Sequence, residues 1–177
     1  MRLICITGEP STGKTTLMKA FMKTLLKGVY SKMGLVYYHS YEQEGLIVLG
    51  DYSKQNKFAG TDRLSMAVQP QAIEFLRSLA GMKKNWTIVF EGDRLSNVSF
   101  LTACKEFADV TVWALAVSDN TKAARHKERA DTQNETWLKG RAKKVSNVSK
   151  EFKAVSKTHE TEKDTKKLVK ELVEWLA

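Results

Sequence analysis

Residues 8–16 read Gly-Glu-Pro-Ser-Thr-Gly-Lys-Thr-Thr and match the pattern G-x-x-x-x-G-K-[ST] without departure. A loop of this kind turns tightly at its glycines, so that several backbone N–H groups face one point. The helix that follows adds the positive end of its dipole. Before the motif, Leu3–Thr7 is a short apolar run of the sort that forms a strand buried on both faces. After it, Leu17, Met18, Phe21, Met22, Leu25 and Leu26 recur at helical spacing and stop at Gly28. A buried strand, an anion-gathering turn and an amphipathic helix in that order leave few folds open.

The rest of the chain continues the alternation. Leu35–His39 and Leu46–Leu49 read as strands around Gly45 and suggest a hairpin. The polar stretch Asp51–Ser65 reads as a loop. Pro70 opens a helix through Ile73, Leu76 and Leu79, closed by Gly81. Thr87–Phe90 is a second buried strand, Val98–Phe107 a short helix, and Val110–Val117 a third strand. Leu168, Val169, Leu172, Val173 and Leu176 mark a final amphipathic helix, with Thr161 and Asp164 at capping-box spacing. Short apolar strands alternating with helices predict an α/β fold, a three-layer α/β/α sandwich around a mostly parallel sheet. No repeat or low-complexity linker divides the chain, so residues 1–177 are expected to form one domain.

In such a loop Lys14 reaches the β- and γ-phosphates of a nucleoside triphosphate, and the Thr15 hydroxyl holds Mg²⁺. Gly8, Pro10, Ser11, Thr12, Gly13, Lys14, Thr15 and Thr16 are the candidate donor-binding residues, for ATP or another triphosphate. Here the sequence resembles the P-loop NTPase superfamily. An N-K-x-D base reader is missing, since Asn85 is followed by Trp86, which argues against a switch GTPase. The resemblance is instead to the nucleotide-kinase group, in which a basic lid closes over the phosphates.

Phosphoryl transfer also needs groups that hold the metal and prepare the acceptor. Glu91-Gly92-Asp93-Arg94 follows a core strand, and carboxylates at the carboxyl end of a parallel strand face the ligand edge. Glu91 and Asp93 are candidates for Mg²⁺ or for the acceptor; the alternative for Asp93 is a turn or helix cap. Asp62-Arg63 is a second pair, in which a neighbouring cation would favour the ionised carboxylate. Asp62 is the preferred candidate base, Asp93 the competing one, and Arg63 and Arg94 are candidate phosphate contacts; the bland alternative at Asp62 is a cap with a surface ion pair.

The net charge is +9, and residues 119–150 hold nine basic and four acidic residues, so over half of the excess lies in one stretch. Arg125 and Arg129 are four apart and share a helix face, and Arg141 follows near Gly140. These arginines are expected to close over the transferring phosphoryl as a helical lid. The competing reading is a solvated basic face. His39, His126 and His159 show no ligand spacing and read as surface or loop residues. Trp137 reads as an anchor of the lid, and Tyr37, Tyr38 and Tyr41 as strand packing, with base stacking the alternative for each.

A narrower resemblance rests on GEPSTGKTT, VLGDY, GTDRLS, FEGDRL and NETWLKGRAKKVSN. Together these are similar to bacteriophage 5-hydroxymethyluracil DNA kinases. The resemblance implies transfer of a triphosphate's γ-phosphate to the hydroxymethyl group of a modified base in DNA, with Lys14, Asp62, Asp93, Arg125, Arg129 and Arg141 around the transfer. A kinase of free nucleoside monophosphates and a non-catalytic ATP-binding partner of DNA are the alternatives. Two cysteines, Cys5 and Cys104, do not make a disulfide framework, and no apolar run of 18 residues occurs. The expected setting is therefore a reducing cytoplasm, that of the host if the chain is viral, without a membrane partner.

Overall fold

The computed structural model describes residues 1–53, 59–128 and 134–176. In chain order its elements are β1 (Arg2–Thr7), α1 (Lys14–Met22), β2 (Val29–Met33), β3 (Val36–Tyr41), β4 (Leu46–Leu49), α2 (Val68–Ala80) and β5 (Thr87–Glu91). Then come α3 (Val98–Cys104), β6 (Asp109–Ala116), α4 (Asp119–Glu128), α5 (Glu135–Glu151), β7 (Val155–Thr158) and α6 (Glu162–Glu174). The strands form one sheet in the order β2-β3-β4-β5-β1-β6-β7. From β4 to β7 every neighbouring pair is parallel, while β2, β3 and β4 form an antiparallel meander at one edge.

Strict alternation along the strands divides two cores. Leu3 and Cys5 of β1, Ile47 and Leu49 of β4, and Ile88 and Phe90 of β5 face one layer. There they meet Phe75 and Leu76 of α2, Leu101 of α3 and Val148 of α5. Ile4, Ile6, Leu46, Val48 and Val89 point the other way, onto Leu17, Met18 and Phe21 of α1 and Leu168 and Leu172 of α6. This is the expected α/β/α sandwich.

The expected hairpin is present as β3–β4, turned at Gly45, whose φ of 60° suits glycine. The structure adds β2 and β7, two strands with mostly exposed residues and so no apolar run to announce them. It also shortens α1, which was expected to reach Lys27. The Thr24 amide and hydroxyl both donate to the Phe21 carbonyl, at 3.0 and 2.7 Å, tightening the last turn and leaving Leu26 exposed. α3 likewise stops at Cys104, short of Phe107. The predicted capping box is formed: the Thr161 side chain accepts from the Asp164 amide at 3.2 Å, and Asp164 accepts from the Thr161 amide at 2.9 Å.

The stretch expected as a helical lid holds α4 and α5. The far end of α5 belongs to the core through Val148, and its near half overhangs the sheet's carboxyl edge.

Candidate active site

A cleft of about 570 Å³ lies over the carboxyl ends of β1 and β5. It is lined by the 8–16 loop, by Asp62, by Glu91–Arg94, and by Trp137, Arg141 and Lys144 of α5. Gly8, Pro10, Ser11, Gly13, Lys14, Thr15 and Thr16 all border it. Thr12 is turned inward and only 3% exposed, and its hydroxyl donates to the Glu9 carbonyl at 2.8 Å. The Lys14 ammonium curls back onto the loop, donating to the carbonyls of Gly8 (2.7 Å) and Glu9 (2.9 Å).

The loop has a backing that the sequence does not announce. His159, expected as a surface or loop residue, does lie in the loop between β7 and α6 but is only 2% exposed. One ring nitrogen, Nδ1, lies 2.8 Å from the Thr12 carbonyl and the other, Nε2, 2.9 Å from the Thr165 hydroxyl. A Cβ on Gly13 would come within 2.5 Å of that ring, and Gly13 holds φ at 87°. The second glycine of the motif is thus fixed by its conformation and by the imidazole behind it. Some 147 residues separate Thr12 from His159, and β7 supplies the bridge, so no local pattern could have revealed it.

Arg125 also departs from expectation. Its guanidinium donates to the carbonyls of Ser11 (3.4 Å), His159 (3.1 Å) and Glu160 (2.9 Å). It clamps the loop to the β7–α6 turn and does not line the cleft, so it is a positioning residue where a lid arginine was expected. Lys122, one turn earlier, pairs with Glu9 at 2.9 Å. Arg129 lies outside the described residues.

After β4, Asp51 and Gly60 exchange backbone hydrogen bonds (3.0 and 3.1 Å) and carry a 3-10 turn, Thr61–Arg63, up to Gly92. Gly92 has φ 110°, and a Cβ there would meet the Thr61 hydroxyl at 2.5 Å and the Asp62 amide at 3.0 Å. The close approach lets the Asp62 carboxylate accept from the Asp93 amide. Asp62 does not pair with its chain neighbour: Arg63 Nε sits 2.8 Å from Asp51 Oδ2 instead, away from the cleft. Arg63, expected as a phosphate contact, instead braces the segment that carries Asp62 against Asp51. Its expected effect on Asp62 fails too. Burial pushes the Asp62 carboxyl above its ordinary value, partly offset by Lys14, Arg94, Arg141 and Lys144.

Glu91 ends β5 and is 1% exposed. It accepts from the Thr15 hydroxyl at 3.0 Å and from Tyr52 at 3.3 Å, and burial pushes it up to about 7. A buried carboxylate touching the motif's threonine suits Mg²⁺, which takes one or two protein oxygens and completes its shell with phosphates and water. No cluster of three or more His, Cys, Asp or Glu that could hold a metal occurs among the described residues. Asp93 was a candidate for the same ion or for the base. Its carboxylate is instead held by Arg141 and by Lys144 (3.0 Å), and its carbonyl accepts from Lys144 at 2.6 Å. These contacts latch α5 over the cleft, with the Arg141 guanidinium also 4.8 Å from the Trp137 ring centroid. Arg94, held by its Nε on the Leu64 carbonyl at 3.3 Å, stays in the cleft.

A glycine-rich phosphate loop opening a helix, with a buried carboxylate on the next parallel strand, defines a phosphotransferase of the P-loop kinase class. The family model described as P-loop Nucleotide Kinase3 matches residues 1–167, and the chain belongs to that family. Among solved structures, a gluconokinase from Sinorhizobium meliloti 1021 is 13% identical with a TM-score of 0.52, covering 99% of this chain and 95% of that one. A shikimate kinase from Bacteroides thetaiotaomicron is 14% identical with a TM-score of 0.46, covering 99% and 98%. No curated protein matches the chain. The likeness to the gluconokinase shows the shared fold. No helix among the described residues is long and apolar enough to cross a membrane.

Proposed function

We propose that this kinase transfers the γ-phosphate of ATP, or of another nucleoside triphosphate, to a hydroxyl group on a nucleobase in DNA, with 5-hydroxymethyluracil as the acceptor. The observation that carries the hydroxyl acceptor is Asp62, a half-buried carboxylate that lines the cleft together with Lys14. A phosphate acceptor arrives already ionised and is repelled by a carboxylate. A hydroxyl carries a proton that must leave, and a carboxylate whose affinity for protons is raised by burial is suited to take it.

In this reading the loop amides and Lys14 gather the triphosphate tail, and Thr15 and Glu91, already in contact at 3.0 Å, would hold Mg²⁺. Held there, such an ion would supply positive charge against the charge that develops on the leaving group. Asp62 accepts the proton of the acceptor hydroxyl, the freed oxygen bonds to the γ-phosphorus, and the bond to the β-phosphate oxygen breaks. The products are a phosphomonoester on the base and a nucleoside diphosphate. Arg94, Arg141 and Lys144 supply positive charge to the equatorial oxygens. A base paired in a duplex would have to leave the stack to reach Asp62. The resemblance in GTDRLS, FEGDRL and NETWLKGRAKKVSN, together with the net charge of +9, supports DNA as the carrier.

A second reading, a kinase of free nucleoside monophosphates, draws on Arg94 and Arg141, two guanidiniums in the same cleft. Transfer from γ-labelled ATP separates the two. Label on DNA containing 5-hydroxymethyluracil, and not on DNA containing thymine, is the expected result. Label on free monophosphates alone would overturn the DNA reading.

A further inference from the structure

The meander at the sheet edge carries an aromatic strip outside the cleft. β2 lies at the end of the sheet, and four of its five residues are exposed. The register sets Lys32 opposite Tyr37 and Tyr30 opposite His39, so by alternation these four side chains share one face. Their rings form a connected row. Tyr30 stacks on Tyr37 with centroids 6.1 Å apart, Tyr30 and His39 lie 4.9 Å apart, and His39 meets Tyr52 edge-on at 6.0 Å. The Lys32 ammonium sits 4.9 Å from the Tyr37 ring centroid.

The row leads to the acceptor side of the cleft. At its inner end Tyr52 donates to Glu91. Tyr37 is level with the sheet's carboxyl edge, because its carbonyl accepts from the Gly50 amide at 2.8 Å. Gly50 packs on Gly60, and Gly60 on Glu91. The carboxylate beside Tyr30, Asp51, is engaged by Arg63, so its charge is countered.

We propose that Tyr30, Lys32, Tyr37 and His39 form a track for single-stranded nucleic acid, on which unpaired bases next to the acceptor stack while Lys32 contacts the backbone. This rests on the reading of a nucleic-acid acceptor and adds where the strand lies. Aromatic faces accept any base, and an interleaved cation meets the phosphates, which is the composition of a sequence-tolerant strand-binding surface. Pairing of β2 with a second copy of the chain is the competing use of this edge. Such pairing uses backbone groups and needs no row of rings, and a lysine inside an edge strand discourages it.

The test uses the full chain and a fluorescein-labelled oligothymidylate of twelve nucleotides at low salt, followed by anisotropy. Tyr30→Ala and Tyr37→Ala each weaken binding by about 5- to 150-fold, the range for loss of one stacked base. Tyr37→Phe retains binding, and an abasic strand of equal length binds wild type and both alanine variants alike. Lys32→Ala lowers the slope of log affinity against log salt by about one. Thermal midpoints within a few degrees of wild type establish that the variants fold. Unchanged oligonucleotide affinity in both alanine variants, or equal losses on the abasic strand, overturns the track. A change of oligomeric state without a change in affinity overturns it in favour of self-association. If the wild type binds through these tyrosines yet leaves hydroxymethyluracil DNA unphosphorylated, the proposed acceptor fails and the track stands. If it phosphorylates that DNA with the same KM in both variants, the track fails and the acceptor stands.

Discussion

Replacing Glu91 by Gln should stabilise the metal-free protein while removing its activity. Glu91 is buried against Thr15 and Tyr52, and its proton is released only near pH 7, against an ordinary value of 4.5. The native state therefore holds a proton that the unfolded chain gives up, and stability falls as pH rises through that interval. At about 1.4 kcal/mol per pH unit, the wild type forgoes on the order of 3 kcal/mol by pH 8. Gln keeps an oxygen to accept from Thr15 and Tyr52 and carries no charge. For a chain of this size the gain corresponds to about 6–12 °C in thermal midpoint. The assay is thermal unfolding of both proteins in chelator from pH 4 to pH 8. The midpoints should converge near pH 4 and separate progressively above it. Saturating Mg²⁺ and nucleotide should narrow the gap, since a cation favours the ionised carboxylate. A gap that is independent of pH, or a variant less stable than wild type at pH 8, would refute the claim that this carboxylate is desolvated in wait for a cation.

Asp62→Asn should lower kcat by about 10²–10⁴-fold with donor affinity nearly unchanged, as measured by steady-state kinetics and nucleotide titration; equal kcat would remove Asp62 as the base. The wild-type rate should rise with pH as Asp62 and Glu91 ionise, both raised by burial, and the Asn variant should keep only the Glu91 part of that acid limb. Arg125→Ala strips charged donors from the carbonyls of Ser11, His159 and Glu160, and should cost about 1–3 kcal/mol in denaturant melts while raising KM for the triphosphate more than it lowers kcat. A fall in kcat alone would return Arg125 to the lid. Gly13→Ala should lower the thermal midpoint sharply, because Cβ meets the His159 ring at a positive φ, and His159→Ala in the same chain should restore part of the loss. Thr161→Ala should cost about 1 kcal/mol by chemical denaturation through loss of the α6 cap.

The order of residues alone carries the phosphate loop, the alternation of core strands and helices, and hence the sandwich. These signals are local: glycine spacing, a period of two or of 3.6, and a cap three residues from its partner. It also carries Glu91 as a candidate, because its place at a strand's carboxyl end is readable in one dimension, and Asp62 through its pairing with Arg63 in the chain. What each charged side chain pairs with was decided by the tertiary structure. Arg63 turned from Asp62 to Asp51, Asp93 was taken by Arg141 and Lys144, and Arg125 went behind the loop it was expected to cover. His159 became the loop's backing only because β7 returns beside β6, and β7 has no apolar run to betray it. Long polar side chains reach several ångströms in many directions, so their partners depend on which distant segments the sheet order brings near. Apolar periodicity records which face is buried, and leaves open what lies against it.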